Sequence, residues 1–349
     1  MGIRPKLTSG ECPGSLRPNA GLTGLTMLTK HTLLTVLADW TTVLGETVEL
    51  GAPFVGRDLW PVTAEDGARY FLKRLGPWRN LPLADEARIL RHVARRGVPV
   101  AEFLPTDHAT LYAGEVEDSF ILIPRLASDH FNAAELVSLE EKVGGALAEL
   151  HLALARYPWP ANSYAENLGE SLEQDLMLTA DVAERFARRR DSMRATLADL
   201  PTQLVHGDLT PENVVLRRPG VVSGFIDFDH LPLAPRIWDI AKYMSRRIRL
   251  RWRQGSPASD LGRLDHLAGF LIGYHRINPL GSAEIEALPS GIAAGNVLEA
   301  SYLQEISAGT LPRRKLPDHD AVLADTVEAA GWHLANYEDV DAAVRSSVG

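Results

Sequence analysis

The chain of 349 residues reads as an α+β protein of two lobes, and three stretches predict this. From Glu46 to Arg74 short β-type runs alternate with turns, so the first part of the chain is a small sheet. Beyond Pro124 the texture becomes helical and stays so over most of the remaining length. Within that second part, LVHGDLTPENVVL (204–216) sets a polar loop between two aliphatic flanks, as strand, loop and strand. The length is enough for two lobes, each with its own core.

Residues 1–25 carry few large apolar side chains and several Gly, Pro and Ser, which predicts a disordered tail. LTGLTMLTKHTLLTVLADW (22–40) is the most apolar early segment, but Lys30 and His31 split it and it is too short to span a bilayer. An amphipathic helix from about Thr29 to Trp40 is expected instead. In the sheet region, TVELGAPFVG, RDLWPVTAEDG and ARYFLKRL supply three strands, with Asp66-Gly67 as a hairpin turn. LADEARILRHVARRG then reads as a helix closed at Gly97, with basic residues towards its C-terminal end. LYAGEVEDSFILIPRL (111–126) closes this part as two strands around a turn. Further on, Val143, Leu147, Leu150 and Leu154 form a helical stripe, LTADVAERFARRRDSMRATLADL is a polar helix, and VVSGFIDFDH is a second short β segment. The expected division is 26–123 for an N-terminal lobe and 124–349 for a C-terminal one.

Composition narrows the function. Hydrophobic residues make up 45% and charged ones 23%, as in an ordinary globular protein. The formal charge is -9, from 36 basic and 45 acidic residues, which speaks against a broad nucleic-acid surface. A single cysteine, Cys12, excludes an internal disulfide and a Cys-based metal site, so a cytoplasmic protein is expected. RRIRLRWR (246–253) has five arginines and no acid and could hold an anionic substrate or nucleic acid, a solvated helix face or an interface with acidic partners being the plainer reading. Residues 316–349 carry seven acids against one Arg, a lure for a polycation or an exposed acidic helix.

Chemistry-bearing residues follow one another in an informative order. Lys73 lies in the third strand, Glu86 in the helix after it, Asp208 and Asn213 in HGDLTPEN, and Asp227 and Asp229 in IDFD. Alone, HGD or DFD is an ordinary turn. Together and in this order they resemble the aminoglycoside phosphotransferase and choline kinase superfamily, relatives of the protein kinases whose loop follows H-R-D-L-x-x-x-N. VGGALAELH (143–151) and APRIWDIA (234–241) add to the resemblance, which runs from about residue 45 to 245.

The resemblance implies a protein-kinase-like fold and a Mg·ATP-dependent kinase acting on a small-molecule hydroxyl. Asp208 would be the catalytic base, and Asn213 and Asp227 would hold Mg²⁺. Lys73 would contact the nucleotide phosphates, with Glu86 fixing its ammonium by an ion pair; Arg74 and Asp85 are the competing neighbours. His206 would brace backbone near Asp227, Asp239 would brace the catalytic loop, and Asp229 would be a second metal ligand or a hydrogen-bond acceptor. Gly56 stands in the phosphate-covering region, where G-x-G-x-x-G is missing, and backbone groups from about Ile121 to Arg125, with Ile123 and Arg125 foremost, would bond adenine. The acceptor would be an aminoglycoside or other antibiotic, or else a homoserine- or choline-like metabolite. A nucleotide-binding pseudokinase is the rival from another class. No membrane or nucleic-acid partner is expected.

Overall fold

The computed structural model describes residues 28–54, 57–76, 79–115, 118–158, 164–253, 264–311 and 318–349. The predicted tail and Gly56 lie outside the described residues. The expected first helix runs as α1 (Lys30–Leu37), a 3-10 turn and α2 (Thr41–Leu44), with Thr29 capping α1 through its side chain. Leu33, Leu37, Trp40 and Leu44 bury one face of it. That face covers a sheet of β1 (Glu49–Leu50), β2 (Leu59–Thr63), β3 (Arg69–Arg74) and β4 (Phe120–Pro124), antiparallel in the order β1-β2-β3-β4. The turn from β2 to β3 uses Gly67 at φ +84°, the conformation its missing Cβ permits.

Side chains alternate across a strand, so β3 and β4 have two different faces. Leu72, Phe120 and Leu122 join the Trp40 and Trp60 cluster on one side. Lys73, paired in register with Ile121, points to the other. On that second side lies α3 (Leu83–Ala94), whose Ile89, Leu90 and Val93 belong to the same apolar cluster as the helical region. The sheet therefore divides two cores between its faces.

The C-terminal region is built from α4 (Ala133–Ala155), α5 (Leu168–Ser171), α6 (Ala180–Leu197), α7 (Ile237–Arg253), α8 (Leu264–Ile277), α9 (Ser282–Ala308), α10 (His319–Ala335) and α11 (Tyr337–Val348). Two small antiparallel pairs sit among them. β5 (Thr202–Leu204) pairs with β8 (Leu233–Pro235), and β6 (Val214–Arg217) with β7 (Val221–Phe225). The two flanks of the HGDLTPEN loop thus pair with different partners rather than with each other. β8 is not expected from sequence; at three residues, with Pro235 inside it and Pro232 just before, it carries no alternation to read. Among the described residues no helix is long and apolar enough to cross a membrane.

Helices α4 and α8 touch backbone to backbone. A Cβ on Gly144 would stand 2.0 Å from the Phe270 carbonyl oxygen, and one on Gly273 1.9 Å from that of Glu141. Ordinarily Gly→Ala inside a helix gains about 1 kcal/mol. Here the clash is with backbone, which cannot swing aside, so overpacking wins. Gly144→Ala is expected to lower stability by roughly 2 kcal/mol or more, read as a fall in the denaturant midpoint; a neutral or stabilised variant would refute this packing.

Candidate active site

The loop between β5 and β6 is held by one carboxylate. Asp239, in the first turn of α7, is fully buried and accepts the backbone N–H groups of His206 at 2.8 Å and Gly207 at 2.9 Å. The Nε2 of His151, from α4, lies 3.0 Å from the same carboxylate. Burial opposes its charge, but His151, His206 and the backbone donors hold its pKa below the usual carboxylate value. Gly207 takes φ +80°, and a Cβ there would meet Pro232 at 2.3 Å, so only glycine fits this turn. The His206 ring donates from Nε2 to the Ile226 carbonyl at 2.9 Å, tying the loop to the residue before Asp227. Because a carbonyl can only accept, this also sets the tautomer, and Nδ1 accepts from the Asp208 N–H at 3.3 Å.

Asp208 and Asn213 come together at one end of this loop. Asn213 donates its amide nitrogen to the Asp208 carbonyl at 2.8 Å, which commits the nitrogen and leaves the amide oxygen as the atom that could ligate a cation. The Asp208 carboxylate carries a partner that sequence reasoning missed: Lys242, whose Nζ lies 2.9 Å from Oδ1. Burial works against ionised Asp208, yet Lys242, His230 and His206 together keep its pKa lowered. Lys242 is one helical step beyond Asp239, at i+3 on α7, so both face the loop. That spacing was the available signal.

Asp227 follows β7 at φ +68°, a left-handed conformation that Asp tolerates better than most residues and that aims its side chain back at β3. Lys73 meets it there, with Nζ 2.5 Å from Asp227 Oδ1 and 3.0 Å from Asp229 Oδ2. Burial alone would lower the Lys73 pKa; the two carboxylates outweigh it and raise it. Asp227 is held below its ordinary value in turn, against burial, chiefly by Lys73.

The predicted pairing of Lys73 with Glu86 is not what the side chains do. Glu86 on α3 is bound by Arg79, which also stands 3.1 Å from Asp229, out of hydrogen-bond alignment but close enough for an ion pair. Arg79 lies only seven residues before Glu86 and reaches it first, while Lys73 is drawn to the two carboxylates after β7. Burial raises the Glu86 carboxyl to about 7, with Arg79 pulling the other way. Arg125 departs from expectation as well. Its backbone N–H is spent on the Arg69 carbonyl at 2.9 Å, extending the β3–β4 pairing past Pro124, so it is no adenine donor. Its guanidinium lies over Phe71, 5.7 Å from the ring centre. Ile123 is paired with Phe71, and the Leu122 carbonyl accepts from Leu104 at 2.9 Å, so ladder pairing takes up much of this segment.

Asp208, Asn213, Asp227 and Arg57 line one end of a cavity of about 440 Å³ that runs to the walls of α9 and α10. Arginines of α7 explain part of RRIRLRWR. Arg247 turns inward to Glu140 at 2.5 Å, whereas Arg246 and Arg249 reach the cavity wall and share Glu299, at 2.7 and 2.5 Å.

Oxygen donors of Asp227 and Asn213 fit a hard divalent cation. Among the described residues no cluster of three or more His, Cys, Asp or Glu is arranged to hold a metal. Two protein oxygens beside a cleft are the donor set that Mg²⁺ accepts, since it keeps water and takes substrate phosphates for its other positions.

Comparison with known proteins agrees with this geometry. Residues 56–280 match the phosphotransferase enzyme family. A homoserine kinase of Paramagnetospirillum magneticum is 31% identical over 195 residues, 50% of this chain and 57% of that protein. One from Gluconobacter oxydans is 27% identical over 221 residues, 60% of each. The chain therefore spans about half to three fifths of the curated relatives it matches. Among solved structures, an aminoglycoside phosphotransferase from Alicyclobacillus acidocaldarius superposes with a TM-score of 0.63 at 15% identity, covering 96% of this chain and 98% of that one. A microcompartment-associated aminopropanol kinase gives 0.64 at 14%, covering 87% and 96%. At such identities the likeness shows the fold, a protein-kinase-like α+β architecture. With 56–280 matched, well over half of its length, the chain belongs to the phosphotransferase enzyme family.

Proposed function

We propose that the protein is a Mg·ATP-dependent kinase that phosphorylates a hydroxyl group of a small molecule, with residues 26–123 as the nucleotide lobe and 124–349 as the catalytic and acceptor lobe. The observation that carries this reading is the convergence of Asp208, Asn213 and Asp227 on a single cleft, with Lys73, from a strand 154 residues before Asp227, ion-paired to it. Phosphoryl transfer asks for little covalent chemistry from a protein and much positioning and charge compensation. Asp208, ionised and half-buried, takes the proton of the acceptor hydroxyl. Asp227 and Asn213 hold Mg²⁺, which when bound neutralises charge on the phosphates. Lys73 supplies a cation beside them, supported by Asp227 and Asp229 rather than by Glu86. Asp239 and His206 keep the loop in shape.

An amino alcohol of the homoserine type is the acceptor reading with sequence support, since homoserine kinases are the relatives matched at 31 and 32% identity. An antibiotic acceptor is the second reading. It draws on the fold shared with an amicoumacin kinase bound to AMP-PNP and Ca²⁺, at a TM-score of 0.60 and 18% identity.

ADP release with Mg·ATP across homoserine, choline, simple sugars, aminoglycosides and peptide antibiotics tests both. One class is expected to turn over, and Asp208→Ala should cut that rate by about 10²–10⁴-fold with nucleotide affinity nearly unchanged. Loss of nucleotide binding in that variant would take the base assignment away. Asp227→Ala should weaken Mg·ATP by on the order of 10-fold or more, as losing a charged contact of about 1.5–3 kcal/mol implies; an unaltered Mg²⁺ dependence would shift the metal role to Asp229. Glu86 gives a pH signature. Its carboxyl ionises near 4.5 unfolded and about 7 folded, so between these values the folded state holds the extra proton. Stability from this group is therefore lost as pH rises through that window. Glu86→Gln removes the titration, so stability relative to wild type should climb from pH 4.5 to 7 by on the order of 1–3 kcal/mol. Parallel melting curves for the two proteins across pH would count against the raised value.

A further inference from the structure

Lys242 belongs to none of the motifs that mark the nucleotide or the metal, yet it is the side chain that touches the Asp208 carboxylate. Its ammonium has two anchors set 35 and 34 residues back in the chain: the Gly207 carbonyl at 2.8 Å and Asp208 Oδ1 at 2.9 Å. The Trp238 ring lies 5.7 Å away and shields it on one side. Glu166, in the segment before α5, is close enough for the same ammonium to lower its pKa, against the burial that raises it. The ammonium is thus pinned to backbone that Asp239 already holds rigid, since Asp239 binds the N–H of the same Gly207.

A carboxylate on a loop can rotate and offer either oxygen. Here one oxygen is taken. We infer that Lys242 is the positioning residue of Asp208: its ammonium bridges Oδ1 to the fixed Gly207 carbonyl, so that Oδ2 is the oxygen presented to the acceptor hydroxyl. The inference rests on the reading of Asp208 as the base. In the step itself the acceptor O–H bond breaks and its proton passes to Oδ2. The acceptor oxygen forms the new O–P bond, and the nucleoside diphosphate leaves with the electron pair of the old one. Lys242 keeps all its protons.

Orientation of this kind acts on the chemical step and not on nucleotide binding, and a misplacement of about 1 Å can cost on the order of 10²-fold. The test is turnover of Mg·ATP with the acceptor that the panel identifies, or with water as acceptor where none does. Lys242→Met should lower kcat by roughly 10- to 100-fold and leave the KM for Mg·ATP within about threefold. Where Lys242→Met does not fold, Lys242→Gln, which keeps a donor for Gly207 and removes the charge, is read in its place. Lys242→Cys alkylated with 2-bromoethylamine restores an ammonium at nearly the same reach and should recover most of the rate. Lys242→Met treated alike is its blank, because Cys12 reacts too. A merely structural lysine would not show this rescue with an unchanged KM. Near-normal kcat in Lys242→Met, or no recovery on aminoethylation of a folded protein, overturns the inference. Asp208→Asn separates the two readings: if it is inactive while Lys242→Met is fully active, only the Lys242 role falls. If Asp208→Asn turns over normally, the base assignment itself is wrong and the inference goes with it.

Discussion

The geometry of the site depends on the buried carboxylate of Asp239. An unpaired charge at such depth would cost several kcal/mol, and the group is tolerated because its donors meet both oxygens. Two of those donors are consecutive backbone N–H groups of the loop that carries Asp208. The third is His151, whose Nδ1 lies 2.7 Å from the Tyr274 hydroxyl. Through that chain the loop is fixed to α7, α4 and α8 at once. The glycine contacts of α4 and α8 matter for the same reason: they set the distance at which Tyr274 and His151 can meet. Core packing and loop geometry are here one constraint.

Sequence reading went furthest where a residue's role is local or periodic. Alternation along β3 puts Lys73 on the face opposite Leu72, and the turn at Gly207 needs no tertiary knowledge to anticipate. The resemblance in HGDLTPEN and IDFD led to the family that residues 56–280 match. What sequence could not supply is the choice among partners once the chain is folded. Arg79 and Lys73 are both cations within reach of Glu86 and Asp229, and only the path of the backbone between β3 and α3 decides which takes which. Arg125 failed as an adenine donor for a similar reason, because the ladder runs one residue further than the strand pattern suggests. Lys242 was missed although its spacing from Asp239 was visible, since a lysine on a helix is most often solvated.

The charges at the junction of sheet and loop divide labour between two aspartates only two residues apart. Asp229 has two cations, Lys73 and Arg79, and its backbone carbonyl also accepts from Asn80 at 3.2 Å. It is drawn towards α3 and serves as the far end of a strut between that helix and the β7 end. Asp227 pairs with Lys73, feels Arg57 and His206 as further positive groups, sits in a left-handed turn and lines the cavity. Of the two, Asp227 is the more exposed, 37% against 24%, and so the one more open to the cavity. Because Lys73 bridges both, its position is set by residues of the loop side rather than by α3. A displacement of α3 would then pull first on Arg79 and Asp229, and reach Lys73 only through their shared carboxylate.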